Sequence, residues 1–298
     1  MVHAIVARRA LSTLPVAALL LGATLWGVLW YPLRWFEESG LTGLWVSLIM
    51  NAAALGSCLP LLIRQRREIA RAPVVQLLLL MLAAGFCNTA FILAVIDGTV
   101  VRVLLLFYLA PVWASLLGWW LLRESLSVTA WITLVMAMSG ALIMLWDTSL
   151  GWPWPQQSAD WLALASGVAF AVSNVLVRKM ADVPVTVKTM AAWVGGVVLA
   201  IAWIGYAGTP VPAVEPVMFA LAAALGILGI TLMTLAVQYG VSHMPVHRSA
   251  VILLFEVVVG AVSAAWLAHE ILTAQEWAGG LLIVVAAWLS AHGARQEG

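Results

Sequence analysis

The chain has 298 residues, of which 64% are hydrophobic and only 9% are charged, and its mean hydropathy is +1.06. A soluble domain carries roughly 25% charged residues, so this composition excludes a soluble fold, whose surface it could not cover. The net charge of +1 excludes the basic field of a nucleic-acid-binding protein, and we predict no nucleic-acid partner.

Apolar segments divide the chain into ten predicted membrane-spanning helices, because a bilayer core needs about 20 apolar residues per span. Each span must satisfy its own backbone hydrogen bonds in hydrocarbon, which favours helices. In chain order the predicted spans cover residues 11–35, 41–63, 74–96, 100–122, 128–146, 160–180, 187–207, 216–238, 247–267 and 275–292. The first run is longer than the 7–15-residue core of a signal peptide, so we expect it to be retained. The predicted fold is an all-α integral membrane protein surrounded by lipid.

Basic residues are distributed unevenly between the two sides of this bundle. If the N-terminus is cytoplasmic, only Arg34 and Arg102 fall on the outer side, where they would line a vestibule or reach the lipid headgroups. The cytoplasmic side then holds Arg8, Arg9, Arg64, Arg66, Arg67, Arg71, Arg123, Arg178, Lys179, Lys188, Arg248 and Arg295. The positive-inside rule therefore predicts that both termini are cytoplasmic.

The two halves of the chain resemble each other at a constant spacing. Glu124 and Glu270 are 146 positions apart, as are Trp131 and Trp277. We therefore predict two five-helix repeats, residues 1–147 and 148–298. An odd number of helices per repeat places the second repeat in the opposite orientation, an architecture that many secondary transporters share.

Several short motifs resemble the EamA-type transporters of the drug/metabolite transporter superfamily. The motifs are Trp26-Gly27, Pro111-Val112, Glu124 followed by Leu126-Ser127, and Glu270 followed by Leu272-Thr273. This resemblance implies ten helices in two inverted repeats and a secondary transporter. Within the superfamily the sequence most resembles bacterial exporters of aromatic amino acids. That implies export of aromatic and other neutral amino acids across the bacterial cytoplasmic membrane.

The sequence departs from the family in the ninth span, where Glu256 is followed by Val257 rather than by the usual proline. We expect this change to remove a kink. Glu256 itself lies near the middle of the span, where a carboxylate costs about 2.5–3.5 kcal/mol on insertion scales. It would contact a substrate amine or carry a coupled proton; alternatively, a protonated Glu256 bonds to neighbouring backbone.

Aromatic and neutral polar residues complete the predicted substrate site. Trp26 and Trp30 are spaced i,i+4 on the first span and Trp113 is central in the fourth, so their rings could stack on a substrate or attract its ammonium, or simply pack. Neutral groups suited to a zwitterion, or to bonds between helices, are Asn88, Tyr108, Asn174, Gln238 and Tyr239. Phe91 and Phe255 are expected to pack, and Glu124 and Glu270 to hold their adjacent loops.

Other functional classes have weaker support in the sequence. His243 and His247 are four residues apart but have no local third ligand, so we predict no metal site and no cofactor. Motifs of intramembrane enzymes are absent, and we predict no enzymatic activity. A lipid-carrier flippase would place cations within the cavity, whereas here Lys and Arg lie at the ends of the spans. Export of another metabolite or drug remains the main alternative.

Overall fold

The computed structural model describes residues 2–147, 154–269 and 271–293, and among these it contains helices and no strand. Nine helices in this part of the chain are long and apolar enough to cross a membrane. Numbered by their place among the ten predicted spans, they are span 1 Thr13–Glu38, span 3 Val74–Asp97, span 4 Val100–Leu122, span 5 Val128–Leu145, span 6 Ser158–Lys179, span 7 Val185–Ala207, span 8 Pro216–His243, span 9 Val246–Leu267 and span 10 Ala274–His292. The helix that carries span 1 runs over Val2–Glu38.

Span 2 is formed in two pieces. Its apolar helix Gly43–Ser57 stops at Cys58, and a second helix, Leu59–Arg64, continues toward the next connection. Pro60 explains the interruption, because proline has no N–H for the carbonyl four residues earlier. From residue 43 to 64 the two pieces cover about 33 Å at 1.5 Å per residue, enough to cross the hydrocarbon.

The connections meet in two groups at opposite ends of the bundle. At one end, which we call the Glu124 end, the connections around residues 65, 124, 186 and 246 are joined by hydrogen bonds. At the other, the Arg102 end, Arg102 reaches Trp154 and Asp160, and Trp45 reaches the carbonyl of Pro210. The chain therefore crosses from end to end with each successive span.

Helix packing relates the two halves of the molecule. Span 4 packs on span 6, and span 9 packs on span 1 in the corresponding arrangement; span 3 packs on span 6 as span 8 packs on span 1. Large apolar side chains cover the outside of the bundle, including Trp120, Trp266 and Ile271. An apolar exterior of this kind suits contact with lipid rather than with water.

Candidate functional site

Spans 4 and 9 are both interrupted at corresponding points. Span 4 consists of Val100–Phe107 and Ala110–Leu122, with the interruption at Tyr108. Span 9 consists of Val246–Leu253 and Phe255–Leu267, with the interruption at Leu254, 146 positions after Tyr108. Non-regular backbone at membrane depth is tolerated where it is buried in protein or lines a cavity. Discontinuous helices of this kind commonly form substrate sites in transporters.

The two interruptions have different causes. In span 4, Pro111 cannot donate a hydrogen bond to the carbonyl of Phe107. In span 9 no proline is present, and the expectation that its absence removes the kink is wrong. The N–H of Val257 donates to the carbonyl of Leu254 at 3.0 Å, a tight three-residue turn that interrupts the regular ladder.

Tyr108 and Glu256 join the two interrupted spans. The tyrosine hydroxyl donates to Glu256 Oε1 at 3.1 Å. Both side chains are only half-buried, and Glu256 lies in the first turn of the helix that begins at Phe255. The N-terminus of a helix favours a negative charge, which helps to hold a carboxylate at this depth. The partner of Glu256 is thus a side chain of the other repeat.

A chain of aromatic rings extends from the Tyr108 side of this contact through Phe107. The ring centroids of Phe107 lie 4.8 Å from those of Phe91, 5.4 Å from Tyr108 and 5.7 Å from Phe170. Phe91 packs on a core cluster of spans 3, 4 and 6, as predicted. These contacts supply flat apolar faces close to the Tyr108–Glu256 pair.

A second core cluster brings together spans 1, 3, 6, 8, 9 and 10 toward the Glu124 end. Trp26, Phe170 and Phe255 all pack against it from partly buried positions. Trp26 and Phe170 are corresponding residues of the two repeats, separated by 144 positions. Phe255 packs here as predicted. The half-buried ring of Trp26 lies where spans of the two repeats pack together.

Trp30 has a different environment from Trp26. Its indole N–H donates to Ser263 Oγ at 2.8 Å, and the Ser263 hydroxyl lies 3.2 Å from the carbonyl oxygen of Gly27. A Cβ at Gly27 would lie 2.7 Å from the carbonyl oxygen of Glu256, so only glycine allows this close crossing of spans 1 and 9. The Trp30 N–H is therefore committed to holding two spans together.

Three of the predicted site residues carry buried polar atoms with no hydrogen-bond partner among the described residues. These are the donors Asn174 Nδ2 and Trp113 Nε1 and the acceptor Gln238 Oε1. The Asn174 and Gln238 side chains are 5% and 7% exposed. Buried polar groups in native proteins are nearly always bonded, so each of these atoms needs a ligand, a water or a second conformation.

Two predicted site residues are held elsewhere. Asn88 accepts a hydrogen bond from the Ser47 hydroxyl at 2.5 Å, which ties span 3 to span 2. Tyr239 stacks on His243 one turn away, with ring centroids 4.3 Å apart, at the Glu124 end of span 8. Among the described residues, neither Asn88 nor Tyr239 makes a side-chain hydrogen bond or ring contact with Tyr108 or Glu256.

A polar network centred on Glu124 joins the two repeats at one end. Glu124 Oε2 accepts from the backbone N–H of Val246 at 2.8 Å, and Oε1 lies 3.3 Å from Arg178 Nε. His247 Nδ1 is 3.7 Å from the same carboxylate. Burial raises the pKa of Glu124. The hydrogen bonds from His247 and the Val246 amide and the charge of Arg178 lower it by a larger amount, so the pKa lies below its usual value. Glu124 thus binds other spans, not its own loop, while Glu270 lies outside the described residues.

Arg178 and Lys188 extend this network within the second repeat. Arg178 donates to the carbonyl of Ser242 at 2.8 Å. Lys188 is fully buried, and its Nζ donates to the carbonyls of Val177 and Met180 and to Ser242 Oγ at 3.0, 3.0 and 2.6 Å. A cation that donates hydrogen bonds to the last carbonyls of span 6 is favourable, because the C-terminus of a helix carries a partial negative charge. The sequence marked these residues only as cytoplasmic charges.

Arg102 makes the corresponding connection at the opposite end. Its Nε lies 2.9 Å from Asp160 Oδ2, and a second guanidinium nitrogen donates to the Trp154 carbonyl. The two side chains are 8% and 2% exposed. The prediction that Arg102 faces a vestibule or lipid headgroups is therefore wrong, since Asp160 provides a buried partner. Arg34 is exposed and pairs with Glu38 one turn along its own helix.

The comparisons with known proteins agree with this architecture. The family model described as the EamA-like transporter family matches the chain twice, over residues 13–146 and 157–291. A solved crystal structure covers 96% of this chain and 98% of its own with a TM-score of 0.75; at 18% identity it shows the fold alone. None of the curated proteins compared matches the chain. The chain belongs to the EamA-like transporter family and is a multi-pass membrane transporter built from two repeats.

Proposed function

We propose that this transporter exports neutral amino acids, aromatic ones included, from the bacterial cytoplasm by alternating access. The observation that carries the proposal is the Tyr108–Glu256 contact between the interrupted spans 4 and 9. Phe107 lies next to the Tyr108 ring, and Phe91 and Phe170 lie next to Phe107. These rings would stack on an apolar substrate side chain and attract an ammonium group. The Glu256 carboxylate is the acceptor that this ammonium would bind.

A zwitterion also needs donors for its carboxylate. The unpaired N–H groups of Asn174 and Trp113 are neutral donors, and the unpaired carbonyl of Gln238 is a further acceptor. These atoms would gain partners when substrate binds or when the spans move. Pairing neutral protein groups with a substrate of zero net charge suits a membrane interior, where an uncompensated charge is costly.

The Glu124 network supports a specific conformational assignment. We propose that the Glu124 end faces the cytoplasm and that it is closed in this structure. The core cluster that carries Trp26 joins spans of both repeats on that side, and Glu124 bonds across the repeats there. Export would require the Glu124–Val246 contact with span 9 to open, so that substrate reaches Glu256 from the cytoplasm.

Counterflow in liposomes tests the substrate assignment. Purified protein is reconstituted in liposomes that contain unlabelled phenylalanine. Uptake of labelled phenylalanine, tryptophan and threonine is then followed. Saturable uptake is expected in the wild type and loss of most uptake in Trp26→Ala and Glu256→Gln. Glu38→Gln is the matched control, because Glu38 is an exposed acid paired only within its own helix. Absence of amino acid uptake by folded wild-type protein would overturn the substrate assignment and favour another small metabolite or a drug.

Proton coupling is a separate part of the proposal and rests on Glu256 alone. The same liposomes are prepared with a lower pH inside than outside. Initial rates of amino acid uptake are then compared with the rates at equal pH on both sides. Wild-type rates should change when the gradient is imposed, whereas the residual rate of Glu256→Gln should be the same with and without it. Equal responses of the two proteins would rule out coupling through this residue while leaving transport itself intact.

A further inference from the structure

The connection between spans 2 and 3 carries the densest group of basic residues in the described chain. Residues 59–73, which we call the basic connector, contain Arg64, Arg66, Arg67 and Arg71 against a single acid, Glu68. All four arginine side chains are exposed, and none of them has an ion pair or side-chain hydrogen bond among the described residues. They therefore form a local positive surface that the protein itself does not neutralise.

The basic connector is held in place by its opposite face. Leu61, Gln65, Ile69 and Ala72 recur at helical spacing and are the less exposed residues among those of the segment whose side chains are described. Leu61 packs on the core cluster of spans 1, 2, 7 and 8, and Gln65 accepts a hydrogen bond from the Thr186 hydroxyl at 2.6 Å. Since this stripe faces the protein, the arginines are presented outward from a docked segment.

The flanking residues fix the depth of the positive surface. Ile63 is 71% exposed immediately before Arg64, and Val74 and Val75, which begin the next span after Arg71, are 61% and 70% exposed. Such apolar side chains belong in the acyl region, so the arginines between them fall at the level of the lipid headgroups. Arginine pairs well with phosphate because its planar guanidinium can bond two oxygens at once.

We propose that the basic connector is a binding surface for anionic phospholipid headgroups. Juxtamembrane clusters of basic residues are attracted to anionic lipid, each contributing roughly fivefold to affinity near the surface. The surface is tied to the second repeat through Thr186, two residues from the buried Lys188 of the Glu124 network. Bound lipid would thereby stabilise the connection between the repeats at this end. The proposal is independent of the substrate assigned above.

Thermal unfolding of the full-length protein in uncharged detergent tests this surface. Phosphatidylglycerol should raise the unfolding midpoint saturably, phosphatidylcholine should not, and about 0.5 M salt should weaken the effect by screening. In a triple variant, Arg64→Gln, Arg66→Gln and Arg67→Gln, half-saturation should require roughly a hundredfold more phosphatidylglycerol. The control triple variant, Arg34→Gln, Arg123→Gln and Lys179→Gln, removes the same charge from exposed cations elsewhere and should respond like the wild type.

Several outcomes would overturn the proposal. Equal losses in the two triple variants would mean general electrostatics, and an unchanged response of the connector variant would mean that the lipid binds elsewhere. If the wild-type protein responds equally to charged and uncharged headgroups, the surface does not select anionic lipid, and a protein partner would be favoured instead. Should the triple variant not fold, the single variants Arg64→Gln, Arg66→Gln and Arg67→Gln should each raise the half-saturating phosphatidylglycerol concentration roughly fivefold, and no change in any of the three would overturn the proposal.

Discussion

Spans 4 and 6 cross each other as spans 9 and 1 do, but different chemistry holds the two crossings. Ion pairs join spans 4 and 6 at both ends, Arg102 with Asp160 and Glu124 with Arg178. Spans 9 and 1 are joined by the neutral hydrogen bond between Trp30 and Ser263. At the repeat spacing, Asp160 corresponds to residues 14–16 of span 1, and none of these residues is acidic.

This difference indicates which crossing moves. Breaking the buried Arg102–Asp160 pair by removing one partner costs about 3–5 kcal/mol, because a buried charge is left unpaired. A neutral hydrogen bond contributes only about 0.5–1.5 kcal/mol net. We therefore expect spans 4 and 6 to move as one body and the crossing of spans 9 and 1 to rearrange during transport. Glu256 lies on the moving side of the site and Tyr108 on the fixed side.

The largest effect is expected at the buried end of the fixed crossing. Arg102→Met leaves Asp160 without its cation and should lower the free energy of unfolding by about 3–5 kcal/mol. The matched control Arg34→Met removes an exposed arginine whose pair is worth about 0–1 kcal/mol. Thermal or denaturant unfolding in detergent measures both. Similar losses in the two variants would show that the Arg102 pair does not fix this crossing.

The glycines at the two crossings should separate stability from transport. A Cβ at Gly167 would lie 2.6 Å from the Phe107 carbonyl oxygen in span 4, much as one at Gly27 meets Glu256 in span 9. Alanine at either position should cost about 1–3 kcal/mol through overpacking. Transport by the remaining folded protein should fall further for Gly27→Ala, since its crossing is the one expected to move. Gly56→Ala, which meets no atom within 4 Å, is the control. Equal transport losses at both crossings would contradict the division into fixed and moving pairs.

Exchanging the proline pattern of spans 4 and 9 tests whether the interruptions are set locally. Val257→Pro removes one three-residue hydrogen bond and should cost only about 1 kcal/mol, because span 9 is already interrupted there. Val259→Pro, two residues into the regular helix, should cost about 3 kcal/mol or more. Unfolding midpoints distinguish the two. A large loss in Val257→Pro would mean that the turn at Leu254 depends on the Val257 N–H.

The smallest effect concerns the pH dependence of Glu124. Because its folded-state pKa is lowered, the carboxylate contributes stability that is present above its unfolded pKa, about 4.3, and is lost as pH falls through the folded value. The pair with Arg178 is partly exposed, so the contribution should be below about 1 kcal/mol. Unfolding midpoints between pH 3 and 7 should fall less steeply for Glu124→Gln than for the wild type. The same slope in Glu38→Gln and in Glu124→Gln would show that Glu124 does not contribute.

Much of the fold was available from local patterns in the sequence. Apolar runs of about 20 residues, separated by charged breaks, gave the spans and their order, since the bilayer imposes a length on each. The repeat spacing of Glu124 and Glu270 anticipated the double family match. Glu256 was singled out because an acid at midspan is costly, and its role in transport stays a prediction.

The sequence did not predict the partners of the individual polar and aromatic residues, because these partners depend on which side chains meet across distant spans. The sequence placed Arg102 toward solvent and headgroups, whereas packing brings Asp160 of another span against it. Trp30 and Asn88 had the chemistry of ligand contacts, yet Ser263 and Ser47 are their partners. No spacing rule along one helix could reveal such pairs.

Composition, apolar runs and the repeat spacing by themselves indicated a helical membrane protein with two repeats, because solvent and bilayer act on each segment separately. Only the tertiary structure decided that span 9 is interrupted without a proline, that Tyr108 binds Glu256 and that the Glu124 end is joined across the repeats. Those features arise from contacts between residues more than 100 positions apart or from a backbone turn stabilised by packing. They therefore depend on how the two repeats fit together.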